Sequence, residues 1–280
     1  MRRLIRQSFS KPSPPFKASI WGPFFCLLLM VAKVLYNTIS TNEKGFYMYP
    51  KKLLDTYAGN LKIKKTQKLN GAVRIASLSM YPDDILCPWS KVANCRKLCL
   101  KSAGLGRLES VKDARIAKKD YYHEAPEMFL DQLRCELSNF IKVCKRNNVQ
   151  PVARLNVFSD VAWERHQIPQ EFSDLFMYDY TKTAHRLGKT PENYALMFSY
   201  SAEPEYQDSV RKALTTNVPL AVVFDQVPVG SMFLDREVID GDQSDLLNVQ
   251  AGPVVVGLKY KITEADQSDI DSSRFIVRAA

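Results

Sequence analysis

Three cysteines fall within thirteen residues in the segment Cys87-Pro-Trp-Ser-Lys-Val-Ala-Asn-Cys95-Arg-Lys-Leu-Cys99. Closely spaced thiols in a reducing compartment serve more often as metal ligands than as disulfides, and thiolate sulfur is a soft donor suited to zinc or an iron–sulfur cluster. The neighbouring Lys91, Arg96, Lys97 and Lys101 favour the ionised form. A closed structural zinc site wants four ligands, whereas three leave one position for water or substrate. Candidate fourth ligands are His123 and Cys135. Two other roles compete with metal binding. Cys95 and Cys99, four apart, also fit one buried helical face, and a disulfide is open to an exported chain.

The other chemistry-bearing residues follow short apolar runs. Residues 152–158 lead into Ser159-Asp160 and Trp163-Glu164, residues 175–180 into Asp179 and Lys182, and residues 194–200 into Ser201 and Glu203. Residues 220–224 lead through Asp225 to a loop holding Val238-Ile-Asp-Gly-Asp242 and Asp245. Asp160, Glu164, Asp179, Lys182, Asp240 and Asp242 are therefore the candidate catalytic set, with carboxylates as general bases or oxygen ligands. For any one of them taken alone, capping a following helix is the commoner use. The interleaved aromatic and basic groups of residues 178–186 suit base stacking and phosphate contact. No His-x3-His pair, no Gly-x4-Gly-Lys-Ser/Thr loop and no Gly-x-Ser-x-Gly elbow occurs, which argues against a zincin, a P-loop nucleotide hydrolase and a serine hydrolase of that type.

These residues need elements to place them. Asn70-Gly71 is a hairpin-type turn signal, and residues 72–79 alternate as a half-buried strand. Pro126 opens a helix to Asn147: at about 100° per residue, Phe129, Leu133, Leu137, Phe140 and Cys144 share one stripe, and Cys135 points away. The later runs end with residues 254–258, and stretches such as 205–216 are long enough for crossovers. About six βα-like units result. The expected fold is a parallel α/β architecture, a full or partial (β/α) barrel, with an open doubly wound sheet as the alternative. In either, functional groups gather at the carboxyl ends of the strands.

The formal charge of +9 is unevenly held: residues 1–70 carry 13 Lys/Arg against 2 Asp/Glu, and residues 151–280 carry 12 against 19. General nucleic-acid affinity over the whole body is thereby disfavoured, and a basic arm remains. Residues 1–47 read as a basic and apolar leader before a single α/β domain, residues 48–280. The uncharged run 18–32 makes about 22 Å of helix against the roughly 30 Å of a bilayer core. A membrane anchor over residues 18–36 would have to bury Lys33.

The order of Cys-Pro, Cys95-Arg-Lys-Leu-Cys99, Arg154-Leu-Asn156, Ser159-Asp160, Trp163-Glu164, Tyr178-Asp-Tyr-Thr-Lys182, Asn193-Tyr194, Phe198-Ser199, Val222-Val-Phe224, Val238-Ile-Asp-Gly-Asp242 and Val256-Gly-Leu258 resembles the bacteriophage gene product 88 family over residues 54–276. The resemblance implies a viral origin and action in the bacterial host cytoplasm, and supplies no catalytic assignment. A looser likeness is to radical S-adenosylmethionine barrels, in which a three-Cys loop after the first strand holds an iron–sulfur cluster. Position and count agree, but C-x7-C-x3-C departs from their C-x3-C-x2-C spacing. The expected partners are a nucleotide or nucleic acid. A non-enzymatic module docking nucleic acid or a host protein, and a membrane-tethered accessory protein, are the alternatives.

Overall fold

The computed structural model describes residues 49–56, 61–69, 71–261, 263 and 265–278. The leader, with the apolar run 18–36 and Cys26, lies outside them. No helix among the described residues is long and apolar enough to cross a membrane.

The predicted apolar runs form strands within a residue or a few of their expected ends. These are β2 (Val73–Leu78), β3 (Gln150–Arg154), β4 (Phe176–Thr181), β5 (Tyr194–Ser199), β6 (Leu220–Phe224) and β9 (Val255–Lys259). Four short strands complete the sheet: β1 (Leu54–Asp55), β7 (Met232–Phe233), β8 (Arg236–Asp240) and β10 (Ile276–Val277). The order is β1-β2-β3-β4-β5-β6-β9-β8-β7, with β10 also paired to β6. Only β1 and β7 run antiparallel to their neighbours. Five consecutive strands, β2 to β6, lie side by side in chain order, which is the winding of a barrel segment. The sheet of the described residues is not closed, so the full barrel is not formed, and the open, mostly parallel arrangement is compatible with a partial barrel or a doubly wound sheet.

β5 and β6 pair only at Phe198↔Leu220 and Ser199↔Ala221. Farther along, Val223 and Phe224 of β6 take β10 as their parallel neighbour. This splaying brings Phe275, just before β10, to the carboxyl edge.

Helices α2 (Glu109–Glu124), α3 (Pro126–Arg146), α4 (Ile168–Glu171) and α5 (Gln207–Leu214) contribute to the larger of two hydrophobic cores. In α3, Pro126 stands at the first turn, Lys145 and Arg146 complement the carboxyl end of the dipole, and Phe129, Leu133, Leu137, Phe140 and Cys144 are buried as the stripe predicts. Along β6, Leu220, Val222 and Phe224 enter this core while Ala221 enters the smaller one. The smaller core also takes Ile63 of α1 (Leu61–Leu69) and Leu246 and Val249 of α6 (Asp245–Val249). Burial on both faces explains why β6 carries apolar residues throughout.

Three expectations need correction. The segment before Gly71 is a helix, α1, so the turn joins helix to strand and is not a hairpin. Residues 178–181 are strand, with Tyr178 buried, so these aromatic groups are core and not a stacking loop. The loop expected after β6 contains the hairpin β7–β8: β7 is only two residues long, and in β8 the pair Val238-Ile239 is flanked by charged residues, so neither reads as an apolar run.

Candidate functional site

Between β2 and the first turn of 3-10 helix at Leu100–Ser102, residues 79–99 form neither helix nor strand. Ordered irregular segments of this length are uncommon in compact domains and usually carry function. This one crosses the carboxyl edge of the sheet and is pinned by polar contacts. Asp83 Oδ1 accepts from the N–H groups of Ile85 (2.9 Å) and Leu86 (2.8 Å), and its Oδ2 lies 2.7 Å from His123 Nε2. Asp160 N donates to Leu86 O at 2.6 Å, Ser201 Oγ to Ala93 O at 2.9 Å, and Ser273 Oγ to Asn94 O at 2.8 Å. Segments following β3 and β5, and the segment entering β10, thus all hold the loop.

Cys87, Cys95 and Cys99 are free thiols, Cys95 buried and the other two partly so. The three are electrostatically coupled to one another, and Lys182 acts on both Cys87 and Cys99. Burial pushes the Cys87 thiol up to about 12, with Cys95 and Asp160 adding to the rise and Lys182 opposing it. Burial likewise raises Cys99, to about 11. Without a bound cation Cys87 and Cys99 keep their protons at neutral pH. Among the described residues, no group of three or more His, Cys, Asp or Glu side chains stands in position to hold a metal ion. Of the candidate fourth ligands, His123 is engaged by Asp83, and Cys135 lies on α3 outside the set of free thiols.

Lys182 follows β4 and is buried. Its Nζ donates to Ser199 Oγ at 2.9 Å and sits 4.6 Å from the Phe275 ring centroid and 5.6 Å from that of Tyr206. Tyr206 OH donates to Lys182 O at 2.8 Å, which fixes the backbone beneath the ammonium. No carboxylate pairs with that ammonium among the described residues.

The predicted carboxylates divide. Asp160 accepts from Lys182 N (2.9 Å), Thr183 Oγ1 (3.0 Å) and Arg186 Nη1 (2.7 Å). Burial raises its pKa while Arg186 opposes the rise. Glu164 takes the same guanidinium in two bonds, from Nε (2.8 Å) and Nη2 (2.9 Å). Asp179, 1% exposed, accepts from Asn156 N at 2.7 Å and Tyr194 OH at 2.9 Å, and burial raises it to about 7. Asp160, Glu164, Asp179 and Lys182 therefore belong to one network with Arg186. Asp240 and Asp242 are elsewhere, at the end of β8. Asp240 accepts from Asp242 N (2.9 Å) and Gln243 Nε2 (3.0 Å), and Asp242 accepts from Lys259 N (3.2 Å). Gly241 between them is required by close packing, since a Cβ there would meet Val256 Cγ1 at 2.5 Å and Gly257 O at 2.7 Å.

Arg186, Asn156, Tyr194 and Tyr206 emerge only with the structure. Their partners lie in distant segments of the chain, Asp179 for Asn156 and Tyr194, Asp160 and Glu164 for Arg186 and Lys182 for Tyr206, so no local spacing marks these pairings.

An open, mostly parallel sheet whose carboxyl edge bears a long thiol-carrying loop near a buried lysine defines an α/β protein with its candidate site at the strand ends. The sequence model of the family described as Gene product 88 matches residues 51–279. The chain belongs to that family. No curated protein and no solved structure matches it, and the likeness to radical S-adenosylmethionine barrels gains no support from these comparisons.

Proposed function

We propose that this phage-family protein is an enzyme whose three-thiolate centre, Cys87, Cys95 and Cys99, holds an iron–sulfur cluster or zinc and acts on a nucleotide or nucleic acid in the host cytoplasm. The observation that carries this reading is the charge arrangement at the carboxyl edge. Three mutually coupled free thiols share their surroundings with a buried ammonium, Lys182, that has no carboxylate partner among the described residues. A thiophilic cation would displace the three protons and make thiolates of its ligands, and Lys182 would offset the excess negative charge. Loading requires the thiols to turn toward a common point. Zinc held by three protein ligands would supply a Lewis acid with one open position, and an iron–sulfur cluster would supply electron transfer.

Metal analysis of protein purified without oxygen tests the proposal. Iron with a visible absorption band, or stoichiometric zinc, that is lost in Cys87→Ala supports it. Protein that binds neither metal, before or after reconstitution, leaves the loop a structural element of a binding module and overturns it.

A further inference from the structure

Beside Cys87 a cleft of about 270 Å3 opens between the thiol loop and the segments that follow β3 and β4. Leu86 and Pro88, the chain neighbours of Cys87, both line it, as does Asp160, which acts electrostatically on that thiol. The lining is divided in character. Ile85, Pro88, Trp89 and Tyr122 are apolar or aromatic, and Ile85 is 72% exposed. Tyr122 is oriented by its hydroxyl, 3.0 Å from His166 Nε2.

The remaining lining mixes Val161 and Ala162 with the polar Thr183, His166 and His185 and two guanidinium groups, Arg165 and Arg186. Arg186 is occupied by Asp160 and Glu164, so its charge is balanced and the carboxylate of Asp160 is balanced with it. Arg165 and His185 have no side-chain hydrogen bond or ion pair among the described residues. Lys189 and Lys212 are exposed, likewise unpaired, and close enough that both, with Arg165, act on His185. Three unpaired cations, Arg165, Lys189 and Lys212, therefore act on His185 beside a cleft that has aromatic groups in its walls; burial and these cations lower the His185 pKa, so the imidazole meets a ligand as a neutral hydrogen-bonding group.

We infer that this cleft binds one nucleotide unit, its phosphate against Arg165 and His185 and its base against Trp89 and Tyr122. Cation and aromatic group side by side is the chemistry that recognises a phosphate joined to a base. The volume lies just below the range of about 300 to 1,000 Å3 for small-molecule clefts, which suits one unit and not an extended polymer. Lys189 and Lys212 lie where a second phosphate would pass. The inference deepens the reading above by naming the binding surface of its substrate class, and its test does not depend on the metal.

Binding of adenosine monophosphate, adenosine and a short fluorescein-labelled oligothymidylate is measured on the full chain, both as purified and after chelator treatment. The monophosphate binds and adenosine binds at least about tenfold more weakly, the scale of one charge-assisted contact. Arg165→Glu and Trp89→Leu each lower affinity about tenfold or more, whereas Arg146→Glu, at the end of α3, does not. If the strand is the natural source of the phosphate, the oligothymidylate binds more tightly than the monophosphate, and Arg165→Ala reduces its salt slope by about one. If the source is a free nucleotide, the monophosphate binds alone. Equal binding of adenosine and its monophosphate, or equal effects of Arg165→Glu and Arg146→Glu, overturns the inference. Cleft binding that survives chelation in protein devoid of metal upholds it while the metal proposal fails.

Discussion

Arg186 Nη1 lies 2.7 Å from Asp160 Oδ1, both side chains buried, and the same guanidinium closes on Glu164 through Nε and Nη2. One arginine following β4 thus ties down two carboxylates following β3. Removing it strands two buried or half-buried negative charges, and breaking a buried pair from one side costs about 3 to 5 kcal/mol. Arg186→Met is expected to lower the unfolding free energy by that scale, measured by urea denaturation. Arg186→Met combined with Asp160→Asn should cost less than the two changes summed, because the second relieves the charge left by the first. Strict additivity in a double-mutant cycle would refute the coupling.

The carboxylates also show how far the sequence carries. That Asp160, Glu164, Asp179 and Lys182 collect at one edge follows from strand-length apolar runs and from the rule that parallel strands present their carboxyl ends together. Asp240 and Asp242 follow the same local pattern, yet they end β8, separated from β6 by β9, a placement that depends on strand order and not on composition. The clustering of the thiols was legible from their spacing, and the burial of Cys144 from the helical stripe. The partners of Lys182 were not, because Ser199, Tyr206 and Phe275 come from distant parts of the chain and meet only where β5 and β6 part. Asp83 gave no signal either, since its role is to hold backbone N–H groups of an irregular loop.

Asp179 gives stability a pH dependence of definite sign. Burial outweighs its donors and raises its pKa from 3.8 to about 7. The unfolded chain releases that proton near 3.8 and the folded chain retains it to about 7, so between these values the folded state binds the extra proton. The contribution is fully present below 3.8 and is lost as pH rises through about 7. The slope across that window is about 1.4 kcal/mol per pH unit. Asp179→Asn cannot ionise and should flatten this part of the curve, measured by denaturant unfolding across the window. An unchanged slope in the variant would place the titration elsewhere.

Lys182 is expected to control the reactivity of the thiols. It opposes the rise in pKa that burial imposes on Cys87 and Cys99. In metal-free protein, Cys87 should alkylate slowly at about pH 8, and Lys182→Met should slow it further by removing a cation that favours the thiolate. Lys182→Arg retains the charge and should slow it less. Alkylation followed by peptide mass mapping separates Cys87 from the other thiols. An unchanged rate in Lys182→Met would show that the ammonium does not act on the thiols.

Asp83 is the hinge post of the thiol loop, and its effect on the site is indirect. One carboxylate oxygen receives the N–H groups of Ile85 and Leu86, immediately before Cys87, and the other meets His123 of α2. Burial raises its pKa and is outweighed by the Leu86 N–H, His123 and the Ile85 N–H, so the net shift is downward. A depressed carboxylate contributes stability above its unfolded value and loses it as pH falls through the folded one, so the loop should loosen in acid. Asp83→Ala leaves two backbone donors to find water and should cost about 1 to 2 kcal/mol. The larger effect should be local: residues 84–99 lose their anchor to α2, and protease cleavage there should rise well before global unfolding. Asp83→Asn keeps an acceptor for the two N–H groups and should protect the loop better than alanine does, while giving up the charge attraction to His123. Hydrogen exchange at Leu86 distinguishes the two variants, and equal exchange in wild type and Asp83→Ala would remove Asp83 from this role.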